Sequence, residues 1–499
     1  MKNVLISSAI LLSLLSCQSE LDNFNETETN ISNLSLDKKS EAFKEFSSIL
    51  AKALNDYPEV RKLIKDESLK MFDNDYDVLY MLVKHEKING KTFEEILNQY
   101  TSDKELLTKI EEEIPTLTIM VPTLPENTFS AESWNIFSQI PKVAYTSKIN
   151  KSIEIVDANK NSEKLAKHLI PGYPVVVVKE NERIVINKNI NKKSTDNIPN
   201  IDFKFIDSSF DNLNSINKTS SRGDNSYSGG FTSPGFIDSP DPKAVEASNI
   251  YANYDGWQRD WVYYNISPSQ PNGAFKNDYQ EHISYFWIND LNSLNRIIDQ
   301  NDPTYSQAGW TDGSLEFKIT ALINGKNGVG SSIDKYVAIS PKQLFLFAYK
   351  KVGNNYQIES STPIKYKLNL PLIHWDLYNY SQAIKITFEE VDSTEEITRS
   401  ETIKSTLVTN FGIDAGVDIG IVKLGVKGGV TSTQETTSSY TVKTYKGSDP
   451  MGDIIVQFAD KILIRSTIDS PRGGTRYNYS RRDYNSGNYS IWVEPKKVQ

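Results

Sequence analysis

Residues 315–328, LEFKITALINGKNG, alternate apolar and polar side chains and then enter a turn rich in asparagine and glycine. A period of two places Phe317 and Ile319 on one side of a strand and Glu316 and Lys318 on the other. The Asn-Gly steps are typical of the connection between two antiparallel strands. We therefore expect an antiparallel strand with one apolar face on a core and one polar face in water.

Similar strand patterns recur through the C-terminal half of the chain, and residues 38–115 have a different periodicity. The further strand-like runs are residues 343–349, 356–359, 364–370, 383–391 and 454–458. Their spacing and turn chemistry favour antiparallel sandwiches over βαβ units. In residues 38–115 the apolar positions follow three-and-four spacing, which predicts helices. The sequence thus predicts an α+β multidomain fold, with a small N-terminal helical head and mixed segment followed by an antiparallel β-sandwich region.

Composition along the chain predicts the order of its parts. We expect a signal peptide at 1–16, a lipidated cysteine and flexible tether at 17–38, a helical head plus a small mixed α/β segment at 39–187, a polar linker at 188–240, a β-sandwich domain at 243–370, and a second β domain with a long amphipathic hairpin at 371–499. Ser40 is the expected N-cap of the first helix of the head. The run PVVVVKENER at 174–183, followed by Ile184–Ile186, predicts a hairpin with residues 179–183 as its loop.

Overall composition narrows the class of function. The 499 residues include 55 basic and 64 acidic side chains, and the formal net charge of -9 argues against a dedicated nucleic-acid-binding protein. A hydrophobic content of 38% excludes a polytopic membrane protein. The chain has one cysteine, Cys17, so a disulfide within the chain is excluded.

The first residues have the pattern of an export signal. Lys2 precedes the apolar run Val4–Leu15, which is shorter than the ~20 residues of a membrane-spanning helix. Ser16 directly before Cys17 resembles the lipobox of bacterial lipoproteins. That resemblance implies cleavage before Cys17 and attachment of acyl chains such as palmitate, which would anchor the protein in a membrane. An ordinary signal peptide with an incidental cysteine is the alternative.

Two further segments resemble surface lipoproteins of one bacterial group. The acidic residues Glu20 and Asp22 after the cysteine resemble the tail of surface-exposed lipoproteins of Bacteroidota-type bacteria. Residues 40–187, with the PVVVVKENER run, resemble uncharacterised lipoproteins of the same group, for which no activity is implied. The resemblance implies a location on the outer membrane, lipid-anchored and facing the outside.

Motifs for catalysis or metal binding are incomplete. Asp73, Asp75 and Asp77 have the alternate spacing of a calcium loop, but Val78 occupies the glycine position and Lys84 stands where the bidentate glutamate belongs. We therefore expect no catalytic residue, no metal site and no cofactor. A surface hydrolase remains a second alternative, because carboxylates from separate strands can converge in a fold.

Aromatic side chains are the candidate ligand contacts. They are five tryptophans of the β region: Trp257, Trp261, Trp287, Trp310 and Trp375. Indole rings stack on sugar rings, anchor protein interfaces, or fill a sandwich core. Together with the expected location on the outer membrane, these residues favour a non-catalytic binding or structural module for a glycan or protein ligand. The oligomeric state is left open.

Residues 402–442 suggest another function. Phe411, Ile413, Val417 and Ile419 lie on the apolar, odd-numbered positions, while the even positions are polar and rich in glycine. A Ser/Thr-rich run follows, and the whole pattern resembles the insertion hairpin of aerolysin-type pore-forming proteins. That resemblance implies a β-pore-forming protein with these four residues on its membrane-insertion face. A long edge hairpin of a water-soluble sandwich has the same alternation, so both interpretations are kept.

Overall fold

The computed structural model describes residues 19–147, 152–186, 203–212, 237–299, 309–325, 331–392, 395–411, 421–423, 430–469 and 475–498. The helices are α1 (Ser19–Asp56), α2 (Pro58–Ser68), α3 (Tyr80–Val83), α4 (Phe93–Leu97), α5 (Leu106–Glu113), α6 (Pro242–Ile250), α7 (Gln258–Tyr264), α8 (Leu291–Asp299) and α9 (Pro341–Leu344).

The strands of the N-terminal part are β1 (Asp77–Leu79), β2 (Lys87–Ile88), β3 (Lys91–Thr92), β4 (Leu117–Met120), β5 (Lys142–Ser147), β6 (Ser152–Val156), β7 (Ser162–Leu165), β8 (Ile170–Pro171), β9 (Val175–Glu180), β10 (Ile184–Ile186) and β11 (Phe203–Phe205). Those of the C-terminal part are β12 (Asn272–Ala274), β13 (Tyr279–Ile288), β14 (Leu315–Gly325), β15 (Ser331–Ile339), β16 (Phe345–Val352), β17 (Asn355–Pro363), β18 (Tyr366–Pro371), β19 (Tyr380–Glu390), β20 (Glu396–Phe411), β21 (Ile421–Lys423), β22 (Val430–Tyr445), β23 (Asp449–Gln457), β24 (Leu463–Asp469), β25 (Thr475–Arg481), β26 (Tyr484–Asn485) and β27 (Tyr489–Lys497).

The fold is α+β, as predicted, with mostly antiparallel sheets. The head combines helices α1 to α5 with a sheet in the order β1-β4-β9-β5-β6-β7, in which β5 and β9 run parallel and the other neighbours antiparallel. In the described part of the chain, no helix combines the length and apolarity needed to cross a membrane.

The C-terminal part is built on two four-stranded sheets that share one apolar core. Their orders are β18-β13-β27-β26 and β15-β14-β19-β23. Phe286 of the first sheet stacks on Phe388 of the second, with ring centroids 4.8 Å apart, and Tyr489 lies 4.6 Å from Phe388. The two inner faces thus pack as in a β-sandwich.

The predicted division of the β region into 243–370 and 371–499 is wrong. β14 pairs with β19, and β13 pairs with β27, so strands from both sides of residue 371 lie in the same sheets. The same apolar core includes residues from both segments, among them Ile319 and Ile386. Pro371 ends β18 and does not separate two cores.

Two predictions for the N-terminal half also need correction. Helix α1 begins at Ser19, so Ser40 lies inside it and most of the predicted tether at 17–38 is helical. The chain contains no glycine or proline from Ser19 to Tyr57, so no residue type that commonly breaks a helix interrupts it. The predicted linker at 188–240 includes β11, which pairs with β10, and Phe210, which is fully buried.

The predicted hairpin around residues 179–183 is absent, because β9 pairs with β4 and β5 while β10 pairs with β11. The connection between them joins the head to the sandwich. Arg183, 1% exposed, bonds through Nε to the Glu316 carboxylate of β14 and lies 3.2 Å from Asp75 Oδ2 through Nη2. Its Nη1 donates to the carbonyl oxygen of Asp73 at 2.9 Å.

The three aspartates that suggested a calcium loop are part of this junction. Asp73 accepts a hydrogen bond from Asn181 at 2.6 Å, and Asp77 lies 3.5 Å from the ammonium of Lys179. Protein cations therefore occupy the place of a metal ion. Among the described residues, no cluster of His, Cys, Asp and Glu side chains has the arrangement of a metal site.

Asp77 makes the stability of this junction depend on pH. Burial raises the pKa of its carboxyl to about 8, although Lys179 offsets part of the rise. The unfolded chain loses this proton at about pH 4, so between that pH and the folded-state pKa only the folded chain keeps it. The free energy of unfolding therefore falls as the pH rises through this window.

Asp77→Asn removes this titration and keeps a neutral side chain of the same shape. We expect its melting temperature, relative to the parent chain, to rise steadily from about pH 5 to about pH 8. Thermal unfolding in a buffer series measures this difference. Asp66→Asn, at a side chain that is 48% exposed, is the control. Parallel curves for Asp77→Asn and the parent would contradict the assignment.

Candidate functional site

A long two-stranded ribbon stands out among the elements of the β region. β20 and β22 have 16 residues each, and their register runs from Glu396↔Tyr445 to Phe411↔Val430, with irregularities near Asn410. Among the described strands, these two pair only with each other. At ~3.3 Å per residue, the ribbon is about 50 Å long. We call β20 and β22 the ribbon and residues 412–429 between them the link.

The base of the ribbon covers the outer face of β14. Lys318 is buried, donates to the carbonyl oxygen of Lys443 on β22, and lies 3.5 Å from Glu389 Oε1 of β19. The predicted polar face in water on this strand is therefore wrong. Its charged side chains meet the ribbon through Lys318 and the head through Glu316.

Polar contacts join the ribbon to the sheet below it. Glu389 accepts a hydrogen bond from Thr444 at 2.8 Å, and its Oε2 lies 3.0 Å from Arg399 Nη1. Lys385 of β19 lies 2.8 Å from Glu401 of β20. Burial opposes the charge of Lys385, but its hydrogen bonds to carboxylates raise the pKa of the ammonium above the ordinary value.

The buried side chains of the ribbon include apolar ones. Ile403 and Val442 are 1% and 3% exposed, whereas Lys404, Glu435 and Thr437 are exposed. A two-stranded hairpin without further packing is marginally stable in water. At its base, ion pairs and hydrogen bonds to β14 and β19 add to this packing.

The link returns to the sandwich at one described point. Ile421–Lys423 of β21 pairs with Asn272–Ala274 of β12, in a sheet of two short strands. A Cβ atom on Gly273 would lie 1.8 Å from the carbonyl oxygen of Tyr264, so glycine is what allows β12 to run this close to α7. A short ladder of backbone pairing thus holds the described part of the link on β12.

The predicted insertion face falls mostly on residues that the structure does not describe. Phe411 is the last residue of β20, opposite Val430. Ile413, Val417 and Ile419 lie outside the described residues, and so does the predicted lipidation site Cys17.

Two of the five candidate tryptophans are enclosed in the protein. Trp375 is fully buried in the sandwich core, where its Nε1 donates to the carbonyl oxygen of Ser381 at 2.8 Å. Trp310 is 7% exposed and belongs to the apolar core of the head. Neither ring has a face free for a ligand.

The other three tryptophans lie in two separate places. Trp257 and Trp261 are partly buried against the sandwich core, with the Lys243 ammonium 4.1 Å from the ring centroid of Trp261. Trp287, 9% exposed, packs edge-to-face on Trp492 with centroids 5.6 Å apart. The structure thus forms no continuous stacking surface from the five predicted residues.

A pocket of about 410 Å³, lined by both polar and apolar side chains, lies between β13 and the segment after β18. Its lining includes Phe275, Gln280, His374, Asp376, Asn379 and Tyr380. Asp376 accepts hydrogen bonds from Tyr264 at 3.1 Å and from Asn379 at 2.7 Å, which fixes its carboxylate. Amide, carboxylate and imidazole groups next to aromatic rings can hydrogen-bond and stack on a polar ring-shaped ligand.

The sequence pointed to this region only through Trp375. The polar side chains of the pocket could not be predicted, because they come together only when β13 packs beside the segment after β18. No family model, curated protein or solved structure matches this chain.

Proposed function

We propose that this chain is a lipid-anchored cell-surface protein that inserts the ribbon and its link into a membrane as a β-hairpin. The observation that carries the proposal is the ribbon itself, with two paired strands of 16 residues. A transmembrane β-strand needs only ~9–11 residues, so each strand is long enough to cross a bilayer.

Three features support this function over that of a fixed edge hairpin. The base of the ribbon contacts the sheet through ion pairs such as Arg399 with Glu389 and Glu401 with Lys385. The link is held at β21 by pairing with three residues of β12. The link sequence alternates apolar residues such as Ile413 and Val417 with polar residues and glycine, as a strand between lipid and water requires.

The test uses single cysteines in a full chain that carries Cys17→Ser. Ile413→Cys and Asp414→Cys are each labelled with a dye whose emission reports its surroundings. On addition of vesicles, we expect a lipid-like signal at 413, an aqueous signal at 414, and release of an entrapped dye. Aqueous signals at both positions would remove the proposal.

The anchor is proposed from the signal sequence and Cys17. We expect the parent chain to incorporate labelled palmitate and Cys17→Ser to incorporate none. Cys17→Ser/Ser19→Cys, which moves the thiol by two residues, is the matched control and should also stay unlabelled. Labelling of either variant would contradict acylation at Cys17.

A glycan-binding module is the second candidate, favoured by the pocket at Asp376, which combines polar side chains with aromatic rings. Soluble glycans would hydrogen-bond to Asn379 and Gln280 and stack on Tyr380. The test is a glycan array with the Cys17→Ser chain and with Asn379→Ala. We expect specific binding that Asn379→Ala reduces, and an array without specific signals would remove this candidate.

A further inference from the structure

A second cavity, of about 590 Å³, lies where the β24–β25 hairpin leaves the sandwich. Cationic side chains dominate its lining, which includes Lys365, Lys461, Arg481, Arg482, Asp483 and Trp492. This concentration of positive charge differs from the chain as a whole, whose formal net charge is -9. The cavity thus has the charge to receive an anionic group.

Lys365 is the cation in this cavity whose ammonium can still donate hydrogen bonds to a ligand. Its ammonium lies 4.2 Å from the ring centroid of Trp287 and 4.8 Å from that of Trp492. Within the described ranges, it has no carboxylate at ion-pair distance. An ammonium held on two indole rings keeps N–H donors available for a ligand oxygen.

The neighbouring cations, Arg481 and Arg482, already contact carboxylates of the protein. Arg481 is used by the fold, because its Nε lies 2.8 Å from the buried Glu494 and its Nη1 donates to the carbonyl oxygen of Asp238. Arg482 is 41% exposed and lies 3.2 Å from Asp460. Because its side chain is partly exposed and lines the cavity, Arg482 can also contact an anion bound there.

Two exposed isoleucines lie beside this cavity. Ile464, which also lines the cavity, and Ile468 are 47% and 51% exposed on one face of β24. The opposite residues on that face are Ser480 and the exposed Arg476. Isoleucines with neighbouring cations are the composition of a surface that enters the headgroup region of a membrane.

We propose that the cavity at Lys365 and Arg482 binds the phosphate of an anionic phospholipid while Ile464 and Ile468 enter the bilayer interface. A free phosphate compound would use the cations but would leave the two isoleucines without a role. A phospholipid surface matches both, so it is the occupant that this site fits. This binding step does not require insertion of the ribbon.

The experiment is flotation of the full chain carrying Cys17→Ser, so that no acyl anchor contributes. Vesicles contain phosphatidylcholine alone or with about one third phosphatidylglycerol, a fraction that gives a strongly negative surface. We expect binding to the anionic vesicles only, and a loss of about tenfold or more in Lys365→Glu/Arg482→Glu. Ile464→Ser/Ile468→Ser should also weaken binding.

Lys350→Glu/Lys351→Glu is the matched control, since it makes the same charge change at exposed positions of β16. It should bind like the parent, and circular dichroism confirms that each variant is folded. Equal binding to both vesicle types, or equal loss in the control, would overturn the proposal.

Glycerol phosphate is the probe for a free ligand. If millimolar amounts release the protein from vesicles and the serine variant binds normally, the site takes a free phosphate and the lipid assignment fails.

Discussion

An oxidised Asn272→Cys/Lys423→Cys variant will release no dye from vesicles, and a reductant will restore release to the level of the parent chain. Asn272 and Lys423 face each other in the β12–β21 pair, so a disulfide between them would hold the link on the sandwich. Asn272 is exposed, so its replacement removes no core contact. With Cys17→Ser in the background, the engineered pair is the only one in the chain.

The control cross-link lies on a hairpin that does not move in the proposed insertion. Leu346 and Thr362 are opposite each other on β16 and β17, and both are exposed. Leu346→Cys/Thr362→Cys should release dye equally well oxidised or reduced. If the oxidised β12–β21 variant still releases dye, the link does not leave the sandwich and the proposed function fails.

The second large effect is a loss of stability in Arg183→Met. Arg183 is 1% exposed and sits between the carboxylates of Glu316 and Asp75. Methionine approximates its volume but leaves these carboxylates without their cation, at a cost of about 3–5 kcal/mol in the free energy of unfolding. Burial already raises the pKa of Glu316, so acidification should recover part of the loss by protonating the variant's carboxylates.

Urea denaturation near pH 8 and near pH 5 measures both expectations. Lys62→Met is the control, because its pair with Asp66 is exposed and contributes less than about 1 kcal/mol. A variant of Arg183 as stable as Lys62→Met would show that the junction does not depend on this cation.

The strand pattern at residues 315–323 was sufficient to predict β14 and its antiparallel neighbours. It could not predict what covers the polar face of the strand. The alternation of apolar and polar side chains distinguishes the two faces but does not show which elements pack on them. Lys318 and Glu316 look like solvent-exposed residues in the sequence. Their burial depends on β22 and on Arg183, both more than 100 residues away.

The prediction of a hairpin loop at residues 179–183 was wrong for a similar reason. Its charged residues have the composition of a hairpin turn, yet Arg183 is buried and holds two parts of the fold together. The alternating aspartates at 73–77 suggested a cation, and the cations turned out to be Lys179 and Arg183. In the candidate site, the long hairpin was predicted from its sequence pattern. The pocket near Asp376 could not be predicted in this way, because its lining residues come together only when the chain is packed.

The outer face of β14 also has a mechanical meaning. Glu316, which Arg183 of the head contacts, and Lys318, which the ribbon contacts, are two residues apart on the same face, about 7 Å along the strand. In a molecule anchored as proposed, part of a pull on the N-terminal helix would reach the ribbon through this strand. β14 is therefore one mechanical path from the head to the ribbon, and tension on the anchor would load the base of the ribbon along it.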